Sequence, residues 1–153
     1  LYEPSGAVVR AHLVQELAQE LGANLIDPHL AYLTAAKAVQ SPLAQCYEVL
    51  EEIPVHEKQL KKWVRERGFT ALTIKKRGVD LVPEKMRATL LAGGAGKKSG
   101  KKAAKNQGYN PATLVFTRVG FGQQARRIGW HVRPVDFSDS AQVSSSDTKN
   151  SVV

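Results

Sequence analysis

Residues 46–132 alternate between strand-like and helix-like patterns, and the order of these patterns limits the folds that the chain can adopt. The patterns predict strands at 46–53, 70–76, 113–119 and 124–132, and helices at 57–67 and 83–91. A helix between two strands implies a right-handed crossover to a parallel neighbour, whereas the short turn at 120–122 implies an antiparallel hairpin. The order β-α-β-α-β-β therefore predicts an α+β fold, a two-layer sandwich with a mixed sheet.

The first 44 residues are predicted to be a helical and linker segment that precedes this unit. An apolar stripe at steps of four residues, followed by a glycine, predicts one helix over about residues 6–21. The stripe consists of Val9, Leu13, Leu17 and Leu21, and the glycine is Gly22. Residues 24–42 contain Pro28 and Pro42, and within them residues 30–39 are compatible with either a short helix or a strand and a turn.

Two segments contain too few apolar residues to join a core. Residues 92–110 are rich in glycine, lysine and alanine, and residues 135–153 form a polar, serine-rich tail. Segments of this composition gain too little burial to offset the entropy of ordering them. We therefore expect an N-terminal segment at 1–44, a core at 45–134 with a flexible loop at 92–110, and a disordered tail at 135–153.

The positive charge of the chain is concentrated in its last third. The formal net charge is +8, yet residues 1–92 are nearly balanced. Residues 93–111 contain five lysines and residues 112–134 contain four arginines, and neither segment contains an acidic residue. A localised positive field attracts polyanions, of which nucleic acid is the commonest. A solubilising surface is the alternative reading of the same lysines.

Three consecutive cations, Lys75, Lys76 and Arg77, stand at the end of a predicted strand. They enter a glycine turn that leads to the N-terminus of the next helix. Cations beside free backbone N–H groups suit contacts with phosphates. Across the predicted hairpin, Arg118 and Arg127 complete the candidate phosphate-binding site. The alternative is a solvated charged rim without a ligand.

The sequence lacks the motifs that catalysis by this chain alone would need. The four histidines, His12, His29, His56 and His131, do not share the spacing of metal ligands. No glycine-rich nucleotide-binding loop occurs between a strand and a helix. Glu51 and Glu52 are adjacent on a strand, so their side chains point to opposite faces. We therefore predict no catalytic residue, no metal and no cofactor in this chain.

The cellular setting follows from three simple observations. The single cysteine, Cys46, rules out an intrachain disulfide framework and fits a reducing compartment. No run approaches the roughly 18 apolar residues of a membrane-spanning helix, so no membrane partner is expected. Because the chain begins at Leu1 and shows no signal-like segment, we expect one domain of a longer cytoplasmic protein.

Several short segments, taken together, resemble one protein family. They are, in chain order, Tyr2-Glu3-Pro4, Ala7-Val8-Val9-Arg10-Ala11, Leu25-Ile26-Asp27-Pro28, Ala31-Tyr32-Leu33-Thr34, Tyr47-Glu48-Val49-Leu50, Leu60 with Trp63, Arg65 and Arg67-Gly68, Ile74-Lys75-Lys76-Arg77-Gly78-Val79-Asp80 and Thr113-Leu114-Val115-Phe116-Thr117-Arg118-Val119. Over about residues 2–132 the chain resembles the THUMP-like C-terminal domain of a bacterial, chiefly actinobacterial, class I S-adenosylmethionine-dependent methyltransferase family. The segment at 74–80 is the most specific part of the match.

This resemblance implies that the domain follows a Rossmann-like methyltransferase domain, which this chain lacks. S-adenosylmethionine would then be the cofactor of the parent protein, and its own methyltransferase domain would be the partner of this chain. Likeness to THUMP domains implies structured RNA as the substrate. The expected function is that of a non-catalytic domain that positions RNA for the catalytic domain.

Two other functions are compatible with the sequence. The chain could be a structural docking domain that completes the substrate pocket of a methyltransferase for small molecules or proteins, without binding RNA. An exposed apolar patch that includes Tyr2, Pro4 or Tyr32 would favour this role. The second of these functions is that of a stand-alone binding module associated with translation.

Overall fold

A computed structural model describes residues 1–92, 108–120 and 122–138 of the 153-residue chain. Its strands are β1 (Tyr2–Pro4), β2 (Asn24–Asp27), β3 (Leu30–Thr34), β4 (Ala44–Ile53), β5 (Ala71–Lys76), β6 (Pro111–Val119) and β7 (Arg126–Pro134). Its α-helices are α1 (Gly6–Arg10), α2 (Val14–Leu21), α3 (Glu57–Glu66) and α4 (Pro83–Leu91), and a 3₁₀ turn covers Gly122–Gln124. The predicted flexible loop and tail fall mainly at 93–107 and 139–153, outside the described residues.

The seven strands form one mixed sheet in the order β2-β3-β1-β4-β7-β6-β5. The pairing of β5 with β6 is parallel, and the other five pairings are antiparallel. The predicted α+β class with a mixed sheet is therefore confirmed. The predicted crossover from β5 through α4 does reach a parallel neighbour, but the crossover from β4 through α3 does not. The C-terminal strand β7 pairs with both β4 and β6, so β6 and β7 separate β4 from β5.

The N-terminal residues contribute three strands, and the sequence analysis allowed for only one of them, within residues 30–39. β1 lies between β3 and β4, with Tyr2 opposite both Leu33 and Cys46. β3 lies in the ambiguous stretch at 30–39, so the strand-and-turn alternative is the observed one, and β3 pairs with β2 in a hairpin. The first 44 residues thus continue the same sheet as residues 44–134, and the proposed division of the chain near residue 44 stays a prediction.

The prediction of one helix over residues 6–21 is wrong, because the helix is interrupted between α1 and α2. His12 has a positive φ of 58°, and the Leu13 N–H donates to the Val8 carbonyl. A straight helix would bury the stripe through Leu13, but this side chain is 47 % exposed. The break turns Val8 and Leu17 toward the same apolar cluster, which also contains Tyr2 and Leu33.

Helices α3 and α4 cover one face of the C-terminal half of the sheet. Their buried side chains Leu60, Val64 and Leu90 pack with Phe116 of β6, which is completely buried. Gly129 of β7 lies against this ring, because a Cβ there would stand 2.8 Å from the Phe116 Cε1 atom. Residues of the N-terminal part cover the opposite face. Leu1 and Tyr32 of this part form a third cluster with Tyr47, Val115 and Val132 of the sheet.

Candidate nucleic-acid interface

The five cations of the predicted RNA site divide into two groups, because successive side chains of a strand point to opposite faces. Lys75 and Arg77 lie toward the N-terminal part of the chain, where both approach Glu3 of β1. Lys76 and Arg127 lie on the other face, and the register places Arg118 opposite Arg127, but the Arg118 side chain extends to Asp27 of β2 in the N-terminal part. The structure therefore does not bring the three consecutive cations of the motif together on one surface.

Glu3 is the common partner of the first group. The Lys75 Nζ atom stands 2.7 Å from the Glu3 Oε2 atom, and the Arg77 Nη2 atom stands 3.9 Å from the Oε1 atom. Arg77 also donates from Nη2 to the Pro4 carbonyl at 3.3 Å. The side chains of all three charged residues are 20–30 % exposed, so the group is largely shielded from water. These contacts connect the end of β5 with β1.

Two tyrosine rings complete the surroundings of this group. The Lys75 ammonium lies 5.7 Å from the centre of the Tyr47 ring, and the Arg77 guanidinium lies 5.4 Å from that of Tyr32. Burial lowers the pKa of Lys75, but hydrogen bonding to Glu3 and Tyr47 outweighs it, so the pKa lies above its ordinary value. Burial raises the pKa of Tyr32. Lys75 therefore stays charged within a group of contacts that joins the two halves of the sheet.

The second group occupies one end of the β5–β6–β7 face. Lys76 pairs with Phe116, and two residues further along β6 Arg118 stands directly opposite Arg127. Side chains of paired residues share a face, so the register sets Arg118 beside Arg127, with Lys76 in the position diagonal to Arg118 on β5. Lys76 and Arg127 are exposed. Arg118 approaches the buried Asp27 carboxylate at 3.5 Å, and Arg127 donates from Nη2 to the Asp80 carbonyl at 3.5 Å. We name Lys76, Arg118 and Arg127 the cationic row.

Most of the other cations of the sheet are paired with exposed carboxylates. Arg67 contacts Glu51 at 2.8 Å, and Arg126 contacts Glu52 at 3.3 Å. Arg133 of β7 forms an ion pair with a glutamate of β4, so its charge is also neutralised. In contrast, Lys76 forms no ion pair with any carboxylate in residues 1–92, 108–120 or 122–138. Within the described residues, Lys76 and Arg127 of the cationic row therefore form no ion pair, and the same holds for Lys58, Lys61 and Arg65 of α3.

An aromatic cluster beside α3 was not predicted from the sequence. The rings of Trp63, Phe69 and His131 lie 5.2–5.5 Å apart, and Arg67 stacks 5.3 Å from the centre of the Trp63 ring. The Glu51 carboxylate contacts Arg67 and also lies 3.6 Å from the His131 Nδ1 atom. Strand alternation places His131 on the face of the sheet that the helices cover. This alternation is a sequence signal from which the position of His131 in the cluster could have been predicted.

Acidification is expected to destabilise the fold through His131. Burial lowers the pKa of His131 below its ordinary value of 6.5, although Glu51 acts in the opposite direction. Below about pH 6.5 the unfolded chain therefore binds more protons than the folded one, and stability falls with the pH. Urea titrations between about pH 7.5 and 5.5 should show a smaller loss for His131→Phe than for the unchanged protein.

The exposed His56 provides the control for this pH dependence. His56→Gln removes a histidine that lies at the surface before α3 and leaves the cluster around His131 intact. Arg67 and Glu51 also face His131, and neither is altered in these variants. An equal loss of stability in the His131→Phe variant and in the unchanged protein would contradict the assignment to His131.

Three further observations bear on the expectations from the sequence. Tyr2, Pro4 and Tyr32 are all less than 2 % exposed, so they do not form a docking patch at the surface. Within the described ranges, no helix has the length and apolar character needed to cross a membrane. The same residues contain no cluster of three or more histidine, cysteine, aspartate or glutamate side chains that could hold a metal ion.

Comparisons with known proteins agree with this fold. The chain is 29 % identical over 134 residues to an uncharacterized S-adenosylmethionine-dependent methyltransferase of Mycobacterium tuberculosis, found in strains CDC 1551 / Oshkosh and ATCC 25618 / H37Rv. The match covers 88 % of this chain and 33 % of the relative, so the chain spans about a third of the length of these proteins.

A solved structure shares the fold at lower sequence identity. It is the crystal structure of a "putative methyltransferase" from Porphyromonas gingivalis W83, with a TM-score of 0.62 and 20 % identity. The superposition covers 88 % of this chain and 29 % of that protein. The family model described as "THUMP domain-like" matches residues 44–134, which include β4 to β7 and both helices that pack on them. The resemblance seen in the sequence is thereby confirmed, and the chain belongs to the THUMP-like domain family.

Proposed function

We propose that this chain is a non-catalytic accessory region of an S-adenosylmethionine-dependent methyltransferase, and that it binds structured RNA for the catalytic domain of that protein. Membership of the THUMP-like family and the names of the Mycobacterium relatives support the link to methyl transfer. The relatives are about three times as long as the matched region, which leaves room for a catalytic domain. S-adenosylmethionine is assigned to that domain, and no residue of this chain is proposed to bind it.

One observation carries the RNA proposal: Arg118 and Arg127 face each other on neighbouring strands, with Lys76 beside them. Like charges directly opposite each other destabilise a sheet unless an anion lies nearby. Asp27 supplies one carboxylate, which leaves the cationic row with an excess of positive charge. Guanidinium groups bind phosphate oxygens through paired hydrogen bonds, and A-form RNA is recognised mainly through its backbone. The cationic row is therefore proposed as the phosphate-binding site.

The proposal is tested with an RNA hairpin with a stem of about 16 base pairs, the length that double-stranded RNA-binding domains span. Lys76→Ala combined with Arg127→Ala should weaken binding about tenfold, since two phosphate contacts are lost. The slope of log K against log salt should decrease by about 2, one for each lost contact. Fluorescence anisotropy at several KCl concentrations measures both quantities on the full 153-residue chain.

Lys58→Ala with Arg65→Ala is the matched control, because it removes one exposed lysine and one exposed arginine from α3. This variant should retain the affinity and the salt slope. Equal losses in the two double variants would show that only total charge matters. A loss that appears only when the lysines at 97–105 are deleted would also contradict the cationic row. No binding at about 50 mM KCl would contradict the RNA function itself.

A further inference from the structure

An apolar groove lies between α1, α2 and the segment that leads into β4. Its volume is about 350 Å³. The lining residues are Ala7, Val8, Ala11, Leu13, Glu16, Leu17, Glu20 and Leu43. Leu13 is 47 % exposed and Leu43 is 41 % exposed, whereas Val8 and Leu17 at the base of the groove are buried. Two large aliphatic side chains therefore stand at the surface around an apolar base.

The backbone fixes both leucines in these positions. Leu13 follows His12, whose positive φ ends α1, and the Leu13 N–H donates to the Val8 carbonyl at 3.1 Å. A left-handed backbone conformation is unfavourable for a residue with a side chain, and here it directs Leu13 out of the core. On the other side, the Leu43 carbonyl accepts a 2.8 Å hydrogen bond from the Ser5 N–H. The groove is thus a built feature of the α1–α2 junction.

The charge at the edge of the groove has one sign. Glu16 and Glu20 stand four residues apart on α2, so they lie on the same side of the helix. Both are exposed, and neither forms an ion pair with a cation of the described residues. The lining contains no lysine or arginine. The groove therefore combines an apolar base with an acidic edge.

We propose that this groove docks a basic amphipathic helix of a protein partner. Aliphatic side chains of that helix would fill the space between Leu13 and Leu43, and its lysines or arginines would contact Glu16 and Glu20. Helices commonly bind in this way, with their apolar side in a groove. A second copy of this chain fits less well, because two acidic edges would then face each other and repel. This surface is distinct from the cationic row, so the proposal does not depend on RNA binding.

The test uses two model peptides of about 14 residues with the same leucine pattern, one with lysines and one with glutamates on the polar side. Titration of the full chain should show saturable binding of the lysine peptide and at least tenfold weaker binding of the glutamate peptide. Leu13→Asp with Leu43→Asp should abolish binding. Glu16→Lys with Glu20→Lys should reverse the preference between the peptides. Circular dichroism and thermal unfolding establish that each variant is folded.

Val82→Asp is the matched control, because Val82 is 48 % exposed, is the N-cap residue of α4 and does not line the groove. Aspartate is also a good residue at the start of a helix, so this variant should fold and bind the lysine peptide normally. Equal binding of the two peptides, or an equal loss in the Val82→Asp variant, would overturn the proposal. A dimer in sedimentation experiments that Leu13→Asp dissociates would assign the groove to a second copy and would likewise overturn it.

Discussion

Glu3→Gln is expected to lower the free energy of unfolding by roughly 2–4 kcal/mol, because the substitution leaves two shielded cations without their carboxylate. Lys75 contacts Glu3 at 2.7 Å and Arg77 lies 3.9 Å from it, with 20–30 % of each side chain exposed. This residual contact with water keeps the expected value below that of a fully buried pair. Urea unfolding followed by tryptophan fluorescence and circular dichroism measures the change.

Glu48→Gln is the matched control, since it is the same chemical substitution in an exposed ion pair. Glu48 and Arg133 are 53 % and 66 % exposed, so their pair should contribute less than about 1 kcal/mol. A loss of stability in Glu3→Gln no larger than that in Glu48→Gln would contradict the structural role of Glu3. It would also restore Lys75 and Arg77 as candidates for contacts with a ligand.

Phe116→Ala is expected to destabilise the fold by about 3–5 kcal/mol, the usual cost of removing a buried phenylalanine ring. Phe116 is completely buried between the sheet and the helices that cover it. Gly129 packs against the ring and has no side chain that could fill the resulting cavity. The value should therefore lie toward the upper end of this range.

Thermal and urea unfolding of the Phe116→Ala variant measure this loss. Tyr109→Ala is the control, because Tyr109 is 83 % exposed and also loses an aromatic ring in the substitution. It should change the free energy of unfolding by no more than about 0.5 kcal/mol. Similar losses in the two variants would mean that the ring of Phe116 does not hold the helices on the sheet.

The separation of the five predicted RNA-site cations into two groups could be predicted in part from local sequence. The alternation of a strand places Lys75 and Lys76 on opposite faces, and the register of a hairpin allows Arg118 to stand opposite Arg127. The ion pair of Lys75 with Glu3 could not be derived in this way, because 72 positions separate the two residues in the chain. Local patterns contain no information on a partner that only the assembled sheet brings near.

The C-terminal part of the fold was predictable because its elements are long and strongly patterned. The strands β4 to β7 and the helices α3 and α4 agree with the sequence to within about two residues. β1 has three residues and β2 has four, too few for periodicity to be recognised. The break at His12 was missed because the apolar stripe continues through Leu13, which tertiary packing leaves at the surface.

The sheet order also determines when the chain can complete its fold during synthesis. β1 to β4 can pair as soon as they leave the ribosome, since their partners lie within the first 53 residues. Among the described strands, β7 alone pairs with both β4 and β6, and it ends at Pro134. Until that residue emerges, the edges of β4 and β6 stay open to pairing with other chains. A chain that stops before β7 is therefore expected to aggregate.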